Sequence, residues 1–333
     1  MLLVLIIVLR IVFLTGLGLK EKYFPAPPPP ATLAFGKLPF PNAQNNTATP
    51  SANITYTLET VDGNLPTLPI TMKVYFMPKS GPSFGSFDKM KSQAAKIGFN
   101  SIPQKTGPTS WHFIDKDNPL RAVDIDEISG NFRLTYNYLS DPSLFSEKNF
   151  TSVETAASFA QGFFDSLGVL ASDLKAVAPS VSFLRLDAGT LVSTTAISNA
   201  DAVGVTFNRA SLEKFPVVSP DARQGLVSVL FSAANDTKKK VLEARFLYSL
   251  IDQENWATYP LIKPADALEK LKAGKGILAS LPSPTPTSIS IRQVYLAYLD
   301  PYPPQSYLQP VLVFSDQKGF VAYVPVVSGE WTE

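Results

Sequence analysis

The chain opens on MLLVLIIVLRIVFLTGLGL, apolar on every side of a helix, and beyond residue 53 it settles into the shorter periods of a globular protein. A run of this kind predicts a helix close to the ~20 residues needed to cross a bilayer's hydrocarbon core. Further along, ITYTLET (54–60) alternates apolar and polar side chains, as a half-buried strand does. MKVYFM (72–77) reads as a second strand, and SFDKMKSQAAKIG (86–98) as a helix stopped at Gly98. WHFID (111–115), LRAVDID (120–126) and NFRLTYNYL (131–139) follow as three strands. SVETAASFAQGFFDSLG (152–168) repeats Ala and Phe at helical spacing and ends on Gly168. Strands are expected near 181–186, 190–199, 202–208 and 226–233, with a longer one at 241–251. KPADALEKLKAGKG (263–276) is a short helix with Pro264 at its start. ISIRQVYLAYLD (289–300) and a hairpin over 310–327, turning at Asp316 to Gly319, close the chain. Strands outnumber helices and the helices come singly, which predicts an α+β fold of antiparallel sheets with single packed helices.

Energetics favour membrane insertion of residues 1–19. Arg10 costs roughly 2.5–3.5 kcal/mol at the centre of the run. Against it stand 14 Leu, Ile, Val and Phe residues, each favourable by roughly 0.3–0.6 kcal/mol near mid-membrane. The reading adopted is one retained transmembrane anchor. Cleavage as a signal peptide is the competing reading, with Gly16 and Gly18 as a weak small-x-small site. A lipoprotein anchor needs a cysteine, and the chain has none. Arg10 and the absence of a basic residue before the run are what a chain once starting further upstream would show. Lys20 and Lys22 argue for a cytoplasmic C-terminal side, but long domains translocate largely regardless of nearby charge. The C-terminal domain is therefore expected outside the cytoplasm, on a single-pass cell-membrane protein.

Proline punctuates the chain unevenly. Pro25 and Pro27–Pro30 form PAPPPP directly after the apolar run, and such a segment is a stiff polyproline II spacer of about 3.1 Å per residue. Residues 41–53 are polar and turn-forming, as is LPSPTPTS (281–288). The expected organisation is an anchor at 1–19, a Pro-rich and polar linker at 20–52, a first α+β unit at 53–140 and a second at 141–333.

Charge and composition narrow the partners. With 29 basic and 28 acidic residues the net charge is +1, and no clustered basic face points to nucleic acid. Lys238–Lys240 reads as a solvated turn. Hydrophobic content of 45% and 22 Phe supply a real core. The missing cysteine removes disulfides, iron–sulfur clusters, thiolate zinc sites and cysteine nucleophiles. Asn45, Asn53, Asn149 and Asn235 begin Asn-x-Ser/Thr triplets, for which chance is an adequate explanation.

Two stretches carry a family resemblance. The first unit has a helix, an aromatic strand and then VDIDEISGNFRL, an acidic strand running into a Gly turn; this resembles the PepSY-type repeat. KPADALEKLKAGKG with ISIRQVYLAYLDPYPPQSYLQPVLVF is similar to the C-terminal region of YycH/YycI-type proteins. Those are bacterial, single-pass and extracytoplasmic, and they modulate a membrane histidine kinase. The resemblance implies PepSY/YycI-like units and a bacterial membrane-anchored, extracytoplasmic address.

Candidate chemistry is sparse. His112 is the sole histidine, so no multi-imidazole metal site can form and a Ser-His-Asp triad could draw only on it. Asp124 and Asp126 share a strand face, with Asp115 and Asp117 upstream. Paired carboxylates can bind Ca²⁺ or act as acid and base, but the spacing is not that of an EF-hand loop. Gly274-Lys275-Gly276 lacks the phosphate-loop frame. Tyr295, Tyr298, Tyr302, Tyr307 and Tyr323 suit core and edge packing better than a glycan or partner surface. No residue is assigned a catalytic, cofactor-binding or metal-binding role. The expected function is non-catalytic: a membrane-tethered extracytoplasmic binding or regulatory protein, held in the lipid bilayer by residues 1–19 and facing another membrane or envelope protein. The alternative is a cell-envelope hydrolase or glycan-binding protein using the acidic strand at 124–127. A subunit of a larger membrane complex is a third reading.

Overall fold

The computed structural model describes Arg10, residues 30–41 and residues 54–333, leaving aside the side chains of residues 237 and 238. The anchor expected at 1–19, Arg10 apart, and most of the expected linker lie outside the described residues. Among the described residues no helix is long and apolar enough to cross a membrane.

The body is mostly β-sheet with a few single helices. Strands β1 (Thr55–Leu58) and β2 (Thr71–Phe76) come first, then helix α1 (Ser86–Lys96). The short β3 (Gln104–Lys105) leads into β4 (Ser110–Ile114), β5 (Arg121–Asp126) and β6 (Phe132–Tyr136). Helix α2 (Val153–Leu167) and one turn of helix, α3 (Ser172–Lys175), precede β7 (Ser180–Asp187), β8 (Thr190–Ser193), β9 (Ala202–Phe207), β10 (Val217–Val218) and β11 (Val227–Ser232). The turn α4 (Thr237–Lys240) delivers β12 (Val241–Phe246) and β13 (Asp252–Pro260). Helix α5 (Pro264–Lys272) is followed by β14 (Ile277–Ser280), β15 (Ser288–Ile291), β16 (Gln293–Leu299), β17 (Tyr307–Ser315) and β18 (Val321–Pro325).

Nine strands form one antiparallel sheet in the order β3-β4-β5-β6-β12-β11-β9-β7-β8. Period-two alternation sends one side chain of every pair to the same face. That face collects Val123 and Ile125, Phe132 and Leu134, Val203, Val205 and Phe207, and Val227, Val229 and Phe231. Against it lie Met90 and Ala94 of α1 and Ala156, Ala160, Phe164 and Leu167 of α2. The Ser152 hydroxyl caps α2 by accepting from the Thr155 N–H at 3.2 Å. Gly168, at φ 71°, ends it in the left-handed conformation that glycine adopts without steric cost.

A second sheet of seven strands runs β10-β16-β17-β18-β14, with β2 joining β17 to β13. Helix α5 packs Ala267 and Leu271 into its core beside Leu296, Leu312, Phe314 and Phe320. β1 and β15 pair separately and in parallel. The β17–β18 turn is tied by the Asp316 carboxylate, which accepts from the N–H groups of Lys318 (2.8 Å) and Phe320 (2.7 Å).

Three features depart from the expectation. The strand expected over 241–251 ends at Phe246, and the chain then enters β13, for which the sequence pattern carries no expectation. β13 begins DQENW, its first five residues half-buried or exposed, so it lacks a local apolar signal; it is held by pairing with β2, some 180 residues away in the chain. A division at residue 140 falls between β6 and α2, inside the run of chain that builds the nine-stranded sheet, while β2 from the expected first unit belongs to the other sheet. Finally, residues 30–41 of the expected linker dock on the seven-stranded sheet. Leu38 is fully buried and donates its N–H to Trp331 at 2.8 Å. The Tyr259 hydroxyl donates to the Gly36 carbonyl at 2.8 Å, and the Phe35 ring lies 5.0 Å from that of Tyr307.

Candidate binding cleft at the junction of the two sheets

The acidic strand foreseen in the sequence is β5, and its end forms one wall of a cleft of about 720 Å³. β5 and β6 contribute Asp124, Asp126 and Arg133; the segment after β2 contributes Met77 and Lys79; the loops after β12 and β16 contribute Leu250 and Tyr302. The cleft thus lies where the two sheets meet, a usual place for a ligand site.

Its carboxylates are engaged by the fold. Asp126 Oδ1 accepts from the Ser129 N–H and hydroxyl, both at 2.8 Å, and from the Ile128 N–H at 3.2 Å. Its other oxygen accepts from the Thr109 hydroxyl. Burial pushes the Asp126 carboxyl up, but the donors from Thr109, Ser129 and Ile128 prevail and hold it below the ordinary aspartate value. A group held ionised in this way fixes the Asp126–Gly130 turn and is poorly placed to donate a proton. Glu127 accepts from the Trp111 indole at 2.6 Å. Asp124 faces His112 across the β4–β5 pair, with Oδ1 2.8 Å from Nδ1.

The remaining sequence candidates separate. Asp115 is buried at the far end of β4, where Arg121 donates to it at 2.5 Å, and its other oxygen accepts from the Asp117 N–H. The four aspartates therefore do not converge on one point. Among the described residues no group of three or more acidic or imidazole side chains is placed to hold a metal ion. Of the five tyrosines, Tyr298 and Tyr323 are buried and Tyr307 packs on Phe35 and Phe76. Tyr302 lines the cleft, and Tyr295 is exposed. Gly274 ends the turn after α5 at φ 70°. Asn149 and Asn235 are exposed, whereas Asn45 and Asn53 lie outside the described residues.

Two groups were not foreseen. Behind the cleft the buried Arg209 ties the sheets together: Nε donates to Asp300 at 2.7 Å, Nη1 to Asp173 at 2.9 Å and Nη2 to the Ser249 carbonyl. The Tyr248 ring lies 4.2 Å from the guanidinium, and its hydroxyl donates to Asp173 at 3.0 Å. Burial works against the Arg209 charge, but Asp300 and Asp173 outweigh it and raise its pKa. Burial is also the main reason the Tyr248 phenol is pushed up to about 12. The other group is Arg133 on β6, whose guanidinium carbon sits 5.1 Å from the Tyr302 ring, with Arg245 opposite it on β12. An outward Arg between inward apolar residues is visible in FRL and ARF, but the pairing of strands over 100 residues apart is not.

No protein-family model matches the chain, and no curated relative matches it. Among solved structures the chain is similar to the Bacillus megaterium YpeB C-terminal domain, at 12% identity and a TM-score of 0.30, covering 76% of this chain and 96% of that one. At that TM-score the likeness carries nothing about activity or partner.

Proposed function

We propose that the protein is a membrane-tethered, extracytoplasmic binding or regulatory protein that works without catalysis and receives its ligand or partner in the cleft between the two sheets. The observation that carries this reading is the cleft's construction. It is large enough for a ligand, it joins both sheets, and its acids are committed to turn, indole and histidine contacts. The composition of residues 1–19 supports the tether. The hydrolase alternative draws on Asp124 and Asp126. The Asp126→Asn and Asp124→Asn variants separate the two: a folded double variant that keeps its binding supports the proposal, and one that loses a hydrolytic activity supports the alternative.

A direct test uses a photoreactive amino acid in place of Leu250, which is exposed within the cleft, and in place of Val61, which is exposed outside it. Irradiation of membranes containing the full chain is expected to give a discrete adduct from position 250 and none from position 61. The same pattern from both positions would contradict the reading.

A further inference from the structure

On the face of the nine-stranded sheet turned away from α1 and α2, one residue from each of six neighbouring strands falls in a single cross-strand row: His112, Asp124, Arg133, Arg245, Ser228 and Thr206. Residues opposed in this way share a face and interact, and like charges directly opposed destabilise the sheet. His112 and Asp124 are complementary. Arg133 and Arg245 are not: two half-buried cations face each other. Their carboxylate neighbours are Asp124, opposite Arg133 on β5, and Glu243 and Asp221, which attract Arg245. The protein's buried arginines are treated otherwise. Arg121 is matched by Asp115, and Arg209 by Asp173 and Asp300. Burial first, and Arg133 second, pull the Arg245 guanidinium below its ordinary pKa, with Glu243 and Asp221 acting weakly the other way. Tyr302 stacks near Arg133 and keeps it at the cleft wall.

We propose that Arg133, which lines the cleft, and Arg245, which stands opposite it on β12, form an anion site for a carboxylate-bearing ligand entering the cleft. Each guanidinium offers a planar fork of paired N–H donors, which carboxylates accept. Asp124, Glu243 and Asp221 close by favour a single negative charge over a phosphate dianion. The carboxylate can belong to a small molecule or to a peptide end. This inference rests on the binding reading of the cleft and names the ligand's chemistry.

The test is a thermal-unfolding titration of the full chain at constant ionic strength. The probes are sodium acetate, acetyl-trialanine with a free C-terminus, its C-terminal amide, and inorganic phosphate, each against chloride. The free-acid peptide or acetate is expected to raise the midpoint saturably, the amide to do nothing and phosphate to act more weakly. A response to acetate and peptide alike identifies a free carboxylate as sufficient; a response to the peptide alone identifies a peptide end. Arg245→Met keeps the apolar stem and removes the charge. It is expected to weaken the carboxylate response at least tenfold and to raise the unliganded midpoint by relieving the repulsion. No saturable carboxylate response in the unaltered chain, or a preference for phosphate, overturns the inference even if the variant does not fold. A cross-link from position 250 that persists while no carboxylate binds would remove this inference and leave the binding reading standing.

Discussion

At the residue scale, charge is placed according to how much water remains around it. Arg209 is deeply buried and carries two carboxylates, a carbonyl and a tyrosine ring. Removing one member of such a group leaves the others charged in a dry site. Arg209→Met is expected to cost about 3–5 kcal/mol in urea unfolding; a loss below about 1 kcal/mol would show that Asp173 and Asp300 had found other partners. Asp126 makes a prediction in pH. Its folded pKa is depressed, so its stabilisation is fully present above the unfolded value near ~3.9 and is lost as pH falls through the folded one. Asp126→Asn should therefore flatten the acid limb of the stability curve, and an unchanged acid limb would contradict the assignment. Asp126 and Gly130 were legible in the sequence as a strand end and a turn. The Thr109 hydroxyl that helps hold the acid ionised was not, because Thr109, just before β4, lies 17 residues away in the chain.

At the element scale, period and caps carried most of the information. α1, α2, α5 and the strands β4 to β6 lie within a few residues of where the alternation and the glycine stops put them. α2 is legible because Ser152, the Ala and Phe spacing and Gly168 agree with one another. Phe164 anchors it: fully buried, with its ring 5.5 Å from Phe207 and 6.3 Å from Phe246. Phe164→Ala is expected to cost about 3–5 kcal/mol, measured by denaturant unfolding, and the exposed Phe84→Ala should cost little. β13 escaped the sequence reading because its stability comes from β2 and its own first residues are polar. Strand order was invisible for the same reason. The β6–β12 pair, which sets Arg133 opposite Arg245, joins segments separated by α2 to α4 and β7 to β11.

At the scale of the whole molecule, the chain passes between the two sheets repeatedly. β2 belongs to one, β3 to β9 to the other, β10 returns, β11 and β12 go back, and β13, β14 and β16 to β18 complete the first. A cut at residue 140 severs the nine-stranded sheet, so fragments 54–140 and 141–333 are expected to show no cooperative unfolding when expressed separately; a cooperative transition in either would contradict this. Docking of residues 30–41 adds a second expectation. Leu38→Ala, in a stretch read from sequence as linker, should cost about 2–5 kcal/mol because Leu38 is fully buried.

The absence of native cysteine makes the central claim open to one measurement. Val61→Cys and Leu250→Cys each introduce a unique thiol, one outside the cleft and one within it. Both are treated in intact cells with a membrane-impermeant maleimide and compared with the purified chain. A tethered extracytoplasmic binding protein predicts full labelling at position 61 in cells and reduced labelling at position 250, which rises to the level of position 61 after purification. Thiols that label only once the cells are broken, or a position 250 that labels equally in cells and in the purified chain, would contradict it.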